Sequence, residues 1–178
     1  VHYAQLALDE THTEYEVGEN KDYQGTAAKT DVAVKTATEL AGFAAEKMTK
    51  PEFTKISKSS RSLILDDKIA IVLYLYTDDN AYEPTVVVTD KNGGTVESAT
   101  CEKFSDGVWQ VIIPDIAAHE LGDAFKVDID DGKMTYTNLS ALSYAQKVLS
   151  TDGIGDNYKG TASAMYNYYL AAKAYMGE

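Results

Sequence analysis

The ten residues Lys68–Thr77 limit what this chain can become. Ile69, Ile71, Leu73 and Leu75 continue an apolar series that begins at Leu63 and Leu65, and Ala70, Val72, Tyr74 and Tyr76 alternate with it. Period-2 alternation with one polar side makes a strand with one wet face. A strand apolar on both sides must lie in the middle of a sheet and be covered twice. An opposing sheet is the expected cover for one side, and flanking helices are the candidates for the other.

The surrounding sequence, residues 53–138, supplies strands for those sheets. Pro84–Asp90 carries three consecutive valines, and Lys91-Asn-Gly-Gly94 is a hairpin turn, because Asn-Gly tolerates positive φ. Thr95–Lys103 is expected to return from it. Asp106-Gly107 turns again, and Val108–Ile113 sets Trp109, Val111 and Ile113 on one side. A single helical turn is expected around Ala117–Glu120. Phe125–Ile129 and Lys133–Thr137 then pair across Asp130-Asp-Gly132. Short strands with turns at this spacing indicate a sandwich.

Helical periodicity flanks the block. Residues 139–178 read as a helix over Ala141–Leu149 capped by Ser140, a glycine-bearing loop, and a last helix capped by Thr161 and closed by Gly177. A degraded copy opens the chain. His2-Tyr-Ala-Gln, Tyr23-Gln-Gly-Thr-Ala27 and Phe43-Ala-Ala45 follow the order of Ser143-Tyr-Ala-Gln, Tyr158-Lys-Gly-Thr-Ala162 and Leu170-Ala-Ala172. Residues 1–8 accordingly read as a helix end and residues 9–24 as a loop. A second helix, capped by Thr26 or Thr30, is expected to run to about Met48 with Ala33, Ala37, Leu40, Ala41, Ala44 and Met48 on one face. Residues 1–52 thus form an N-terminal helical segment, which either closes a preceding module or covers the open face of the central strand at Tyr74 and Tyr76. The expected fold class is α+β: an Ig-like antiparallel β sandwich over 53–138, flanked by N-terminal and C-terminal α-helical pairs.

A net charge of −12 opposes binding to a phosphate backbone, and no basic stripe offsets it, so nucleic acid is not an expected partner. No run of eighteen apolar residues occurs, so no membrane insertion is expected. Cys101 is the only cysteine, which excludes an intramolecular disulfide and a thiolate cluster. The chain opens at Val1 without a charged-plus-apolar leader, and a processed or excised fragment is the expectation.

No nucleophile elbow, phosphate loop or dinucleotide fingerprint is present, and His2, His12 and His119 have no ligand spacing. His119 beside Glu120 is the one candidate general base, and a surface histidine explains it as well. No cofactor is expected. For a structural calcium the candidate ligands are Asp128, Asp130 and Asp131, although turn formation alone accounts for such residues. Thirteen tyrosines against four phenylalanines favour amphipathic aromatics. Tyr82, flanked by Asp79 and Asn80, is the candidate exposed sugar contact. On the last helix, Met165, Tyr168, Tyr169, Ala172, Tyr175 and Met176 are expected to pack. Ser163, Asn167, Leu170 and Ala174 point away, which leaves Tyr166 exposed as a second candidate. Trp109 is expected in the core.

Several motifs, in this order, resemble one family. They are Ser62-Leu-Ile-Leu-Asp-Asp67 before a long apolar strand, Asp106-Gly-Val-Trp109, and Ile116-Ala-Ala-His-Glu-Leu-Gly-Asp123. Ser143-Tyr-Ala145 and Ala164-Met-Tyr-Asn-Tyr-Tyr-Leu-Ala-Ala-Lys-Ala-Tyr175 complete the series. Together they resemble a repeated module of large secreted and surface proteins of clostridial-type Gram-positive bacteria. The likeness covers roughly residues 54–177 and, more weakly, 1–48; it departs at Val108, where an aromatic is common. It brings no catalytic motif. It implies an extracellular setting, secreted or attached to the cell surface, with neighbouring modules of the same polypeptide as partners. The expected role is therefore a non-catalytic structural or adhesion module, with a polysaccharide or a host or cell-surface protein as ligand. The alternatives are a carbohydrate-binding module of a polysaccharide-degrading system, or an enzyme whose site only the fold assembles.

Overall fold

A computed structural model describes residues 35–65 and 68–177. The helix expected over residues 1–8, the loop over 9–24 and the cap at Thr26 or Thr30 lie outside the described residues. The described residues are α+β, with two antiparallel four-stranded sheets and two helices among them. One sheet is ordered β1-β8-β7-β4, from Glu46–Thr49, Met134–Leu139, Phe125–Ile129 and Val86–Thr89. The other is ordered β2-β3-β6-β5, from Lys58–Leu65, Ile69–Tyr76, Val108–Ile116 and Thr100–Ser105.

The central position of β3 follows from its two apolar faces. It is bonded to β2 on one side and β6 on the other. Ile71, Leu73 and Leu75 point inward and are at most 1% exposed, packed with Val111 and Ile113. Against them stand Val88, Val127, Ile129, Met134 and Tyr136 of the other sheet, so the two layers share one core in a β-sandwich-like arrangement. Each such aliphatic side chain contributes roughly 1.5–3 kcal/mol of burial free energy.

The described part of the expected N-terminal helix is not a helix. Residues 37–40 turn, Ala41–Phe43 make one 3-10 turn, and Glu46–Thr49 are the edge strand β1, paired with β8. Gly42 weakens a helix at this point. The Asn138 side-chain amide then donates to the carbonyls of Gly42 (3.2 Å) and Ala44 (2.8 Å), taking acceptors a helix would use internally. Ala33 lies outside the described residues; among the rest of the expected apolar face Leu40 alone is a core residue, while Ala41 is exposed and Met48 is 61% exposed.

Asp90 and Gly94 close the expected turn: Asp90 Oδ1 accepts from the amides of Asn92 and Gly94, and Gly93 has φ 84°. The strand after it does not return beside β4. Contact is limited to the single bridge Thr89–Thr95, after which the chain crosses to the other sheet as β5. The helical turn at Ala118–Glu120 is present, with the Glu120 carboxylate accepting from the amide of Ala117.

Helix α1, Ala141–Leu149, is capped by Ser140, whose hydroxyl accepts from the amide of Ser143 at 2.9 Å. Its residues Ala141, Leu142, Ala145 and Val148 join the core. Helix α2 spans Asp156–Met176, starting earlier than expected, with Gly155 at its N-cap. Thr161 therefore lies inside it and donates to the carbonyl of Asn157 rather than capping. Gly177 closes it in the left-handed conformation, as expected.

The face of α2 also differs. Ala162, Ser163, Ala164 and Met165 are its buried residues, whereas Tyr175 is 90% exposed and Met176 is exposed. Ser163 can be buried because its hydroxyl donates to the carbonyl of Lys159 (2.9 Å) and accepts from the amide of Lys35 (2.8 Å). Burial ends after the first half because the last turns run past the body of the domain.

Candidate functional site

The residues singled out from sequence do not form one site, although the fold brings Tyr82 and Asp130 together. Tyr82 is half-buried against the core, and its hydroxyl donates to Asp130 Oδ2 at 3.0 Å. Burial first, then this carboxylate, pushes the phenol well above its ordinary pKa. The Tyr82 carbonyl accepts from Trp109 Nε1 at 3.1 Å, which fixes Trp109 on the inner side of β6. Asp79 turns the loop rather than facing a ligand, accepting from the Ala81 amide and pairing with Lys55 at 2.9 Å. The Lys55 ammonium and the Ala81 amide hold its carboxyl below the usual range. Asn80 is exposed beside the Asp106-Gly107 turn. Tyr166 is not the exposed residue expected. Its ring meets Phe43 edge-on at 6.1 Å and stacks on Tyr169 at 6.3 Å, because the 3-10 turn carrying Phe43 occupies the space beside α2.

The aspartates proposed for calcium also diverge. Asp130 accepts from the Thr85 amide and hydroxyl and from Tyr82, while Asp128 accepts from Thr135 at 2.7 Å and pairs with Lys126 at 2.6 Å. Burial alone would raise the Asp128 pKa, but Lys126 and Thr135 outweigh it and hold the carboxyl below its ordinary range. Asp131 is exposed, with φ 55°. Among the described residues no three acidic, histidine or cysteine side chains converge on one ion position.

The acidic recess of about 180 Å³ lined by Asp90, Asp115, Glu120 and Asp123 is likewise spoken for. Asp115 pairs with Lys68 and Asp123 with Lys91, while Asp90 and Glu120 cap their own turns. His119 Nε2 stands 4.0 Å from Glu120 Oε1 at the rim of that turn.

What the fold does assemble is a row on the outer face of the β2-β3-β6-β5 sheet. The register places Ser60, Tyr74, Gln110 and Glu102 side by side across all four strands. At the ordinary strand spacing this row is about 14 Å long. Gln110 Nε2 donates to Glu102 Oε1 at 2.6 Å, which fixes the amide. Its second N–H, its oxygen and the far carboxylate oxygen remain for a ligand. Phe104, two residues after Glu102 and at the β-bulge between Lys103 and Ser105, lies on the same side. There it meets Tyr74 edge-on, with centroids 5.4 Å apart, and is 59% exposed. Tyr76 extends the face, its hydroxyl 3.2 Å from Ser60 Oγ and its ring under the Lys58 ammonium at 5.3 Å. Ile64, 45% exposed, lies further along the same side. Sequence alternation had marked Tyr74 and Tyr76 as a face in need of a cover; the amide, the carboxylate and Phe104 were hidden because only register brings them there.

Cys101 lies on the inner side of β5, opposite Val111. Burial first, and then Glu102, pushes its thiol up to about 11 from 9.0. Since the thiolate is the nucleophile, alkylation by iodoacetamide at pH 8 should run about a hundredfold slower than for an unperturbed thiol. Mass spectrometry over time, against the urea-unfolded chain, checks this.

Comparison with known proteins finds no matching family, no similar curated protein and no similar solved structure. Among the described residues, no helix is long and apolar enough to cross a membrane.

Proposed function

We propose that the chain is a non-catalytic, extracellular adhesion module of a larger bacterial surface or secreted protein. In this reading it is an Ig-like sandwich flanked by helices that holds a glycan on the outer face of the β2-β3-β6-β5 sheet. The observation that carries it is the row Ser60, Tyr74, Gln110 and Glu102 beside the exposed ring of Phe104. Sugar rings present C–H groups to aromatic faces and pairs of hydroxyls to amides and carboxylates, and this row offers both within one flat surface. The non-catalytic part rests on the carboxylates of the acidic recess, which serve caps and ion pairs. The extracellular, modular setting rests on the motif resemblance over residues 54–177.

A glycan array tests the reading. One polysaccharide class should bind, and Phe104→Ala or Gln110→Ala should each weaken it about tenfold or more, the equivalent of one lost stacking or hydrogen-bonding contact. Neither substitution touches the core, so far-UV circular dichroism and Tm should stay close to the parent. Binding unchanged in both variants, or no binding to any glycan, removes the outer face from consideration and leaves a structural spacer.

A further inference from the structure

The sandwich has an open edge where β1 and β2 meet through Lys47 and Ser59, and Lys47 and Arg61 bring two cations to it in a chain of net charge −12. Arg61 lies on the inward side of β2, opposite Leu73, and is half-buried. Its guanidinium reaches Ser143 Oγ of α1 at 3.4 Å and faces the phenol of Tyr136. Lys47, opposite Tyr136 in β1, donates to Ser59 Oγ at 3.2 Å, and Ser59 in turn hydrogen-bonds the Tyr136 hydroxyl. Lys47, Ser59 and Tyr136 are thus hydrogen-bonded in series, and the Arg61–Ser143 pair stands within electrostatic reach of Tyr136, between the two sheets and the start of α1.

This group of side chains carries two positive charges, and among the described residues no carboxylate forms an ion pair with either. α1 adds to the imbalance: its first turn points its positive end at the same place and contains no acidic residue. A guanidinium withdrawn from water normally sits against a carboxylate or phosphate, because an uncompensated charge there is costly. Burial lowers the Arg61 pKa, and the nearby Tyr136 only partly opposes that.

We infer that the β1/β2 edge is a binding site for a carboxylate, held by the Arg61 guanidinium and the Lys47 ammonium, with the Ser59 and Tyr136 hydroxyls completing it. Arg61 supplies the planar fork that matches a carboxylate, and Lys47, exposed at the rim, supplies a mobile point charge. The site lies on the opposite side of β2 from the glycan row and does not depend on it. A uronate sugar and an acidic peptide side chain present the same group.

Nuclear magnetic resonance on the ¹⁵N-labelled full chain tests this through the Arg61 Nε–H signal. Sodium glucuronate and N-acetylaspartate amide are the two carboxylate sources, and glucose and sodium chloride the matched controls. At least one carboxylate should shift the signal saturably, and whichever saturates at lower concentration identifies the source. Lys47→Gln should weaken binding roughly fivefold, the loss of one surface charge at contact distance. Arg61→Met, followed through the backbone amide signals of Lys47 and Ser59, should abolish it while leaving Tm equal to or above the parent, because it removes a charge that no carboxylate among the described residues pairs with. Shifts that match the chloride titration, saturation that survives in Arg61→Met, or a fall in Tm for that variant would each overturn the assignment.

Discussion

Leu73→Ala should lower the unfolding free energy by about 3–5 kcal/mol, the upper part of the range for a buried leucine truncated in a core. Leu73 is 1% exposed at the middle of β3, with Arg61 on one flanking strand and Val111 on the other. Both ladders hold the backbone in place, so the opposing sheet cannot collapse into the space left behind, and most of the cavity persists. Domains of this size have total stabilities of about 5–15 kcal/mol, so the variant loses a large fraction. Urea titration followed by far-UV circular dichroism should show a lower midpoint with the slope preserved, since the surface exposed on unfolding hardly changes. Val87→Ala is the control. Val87 points outward from the edge strand β4 and is 52% exposed, so its truncation should move stability by less than about 0.5 kcal/mol. Equal losses in the two variants would contradict the assignment of the two faces.

The same contrast explains what could be read from the sequence. β3 was legible because its eight residues are apolar on both periodic faces and rich in β-branched and aromatic side chains, which mark a strand in the middle of a sheet. The Asp90–Gly94 turn and the Ser140 cap were legible because each rests on contacts within four positions. What lay further apart was not. The strand after Gly94 leaves for the other sheet, and nothing in its own composition says so. Residues 41–49 look helical by their alanines, yet Asn138 and the free edge of β8 draw them into a turn and a strand. The site follows the same rule. Tyr82 sits among polar neighbours and reads as exposed, but Asp130 and Trp109, both distant in sequence, claim its hydroxyl and carbonyl. Conversely, Glu102, Gln110 and Ser60 look like ordinary surface residues until register aligns them with Tyr74.

Gly107→Ala should destabilise the fold by about 2–5 kcal/mol, combining left-handed strain with steric overlap. Gly107 has φ 71° in the turn joining β5 to β6, and an added Cβ would stand 2.7 Å from the Thr77 carbonyl oxygen. That oxygen is backbone and cannot rotate away. The Thr77 amide also donates to the Gly107 carbonyl at 2.8 Å, so the two segments are tied at the distance the methyl group would violate. Gly93→Ala separates the two contributions: Gly93 has φ 84° but nothing within 4 Å of an added Cβ. It should cost only the conformational part, about 1–2 kcal/mol. The excess at Gly107, read from the two denaturation midpoints, therefore measures the overlap. Relief of that overlap must move the hairpin, and the bulge that presents Phe104 lies at the end of the same hairpin. Gly107→Ala should consequently weaken the glycan binding proposed for the outer face, whereas Gly93→Ala should leave it unchanged. If both variants lose the same stability, the Thr77 contact is not what demands glycine at this turn.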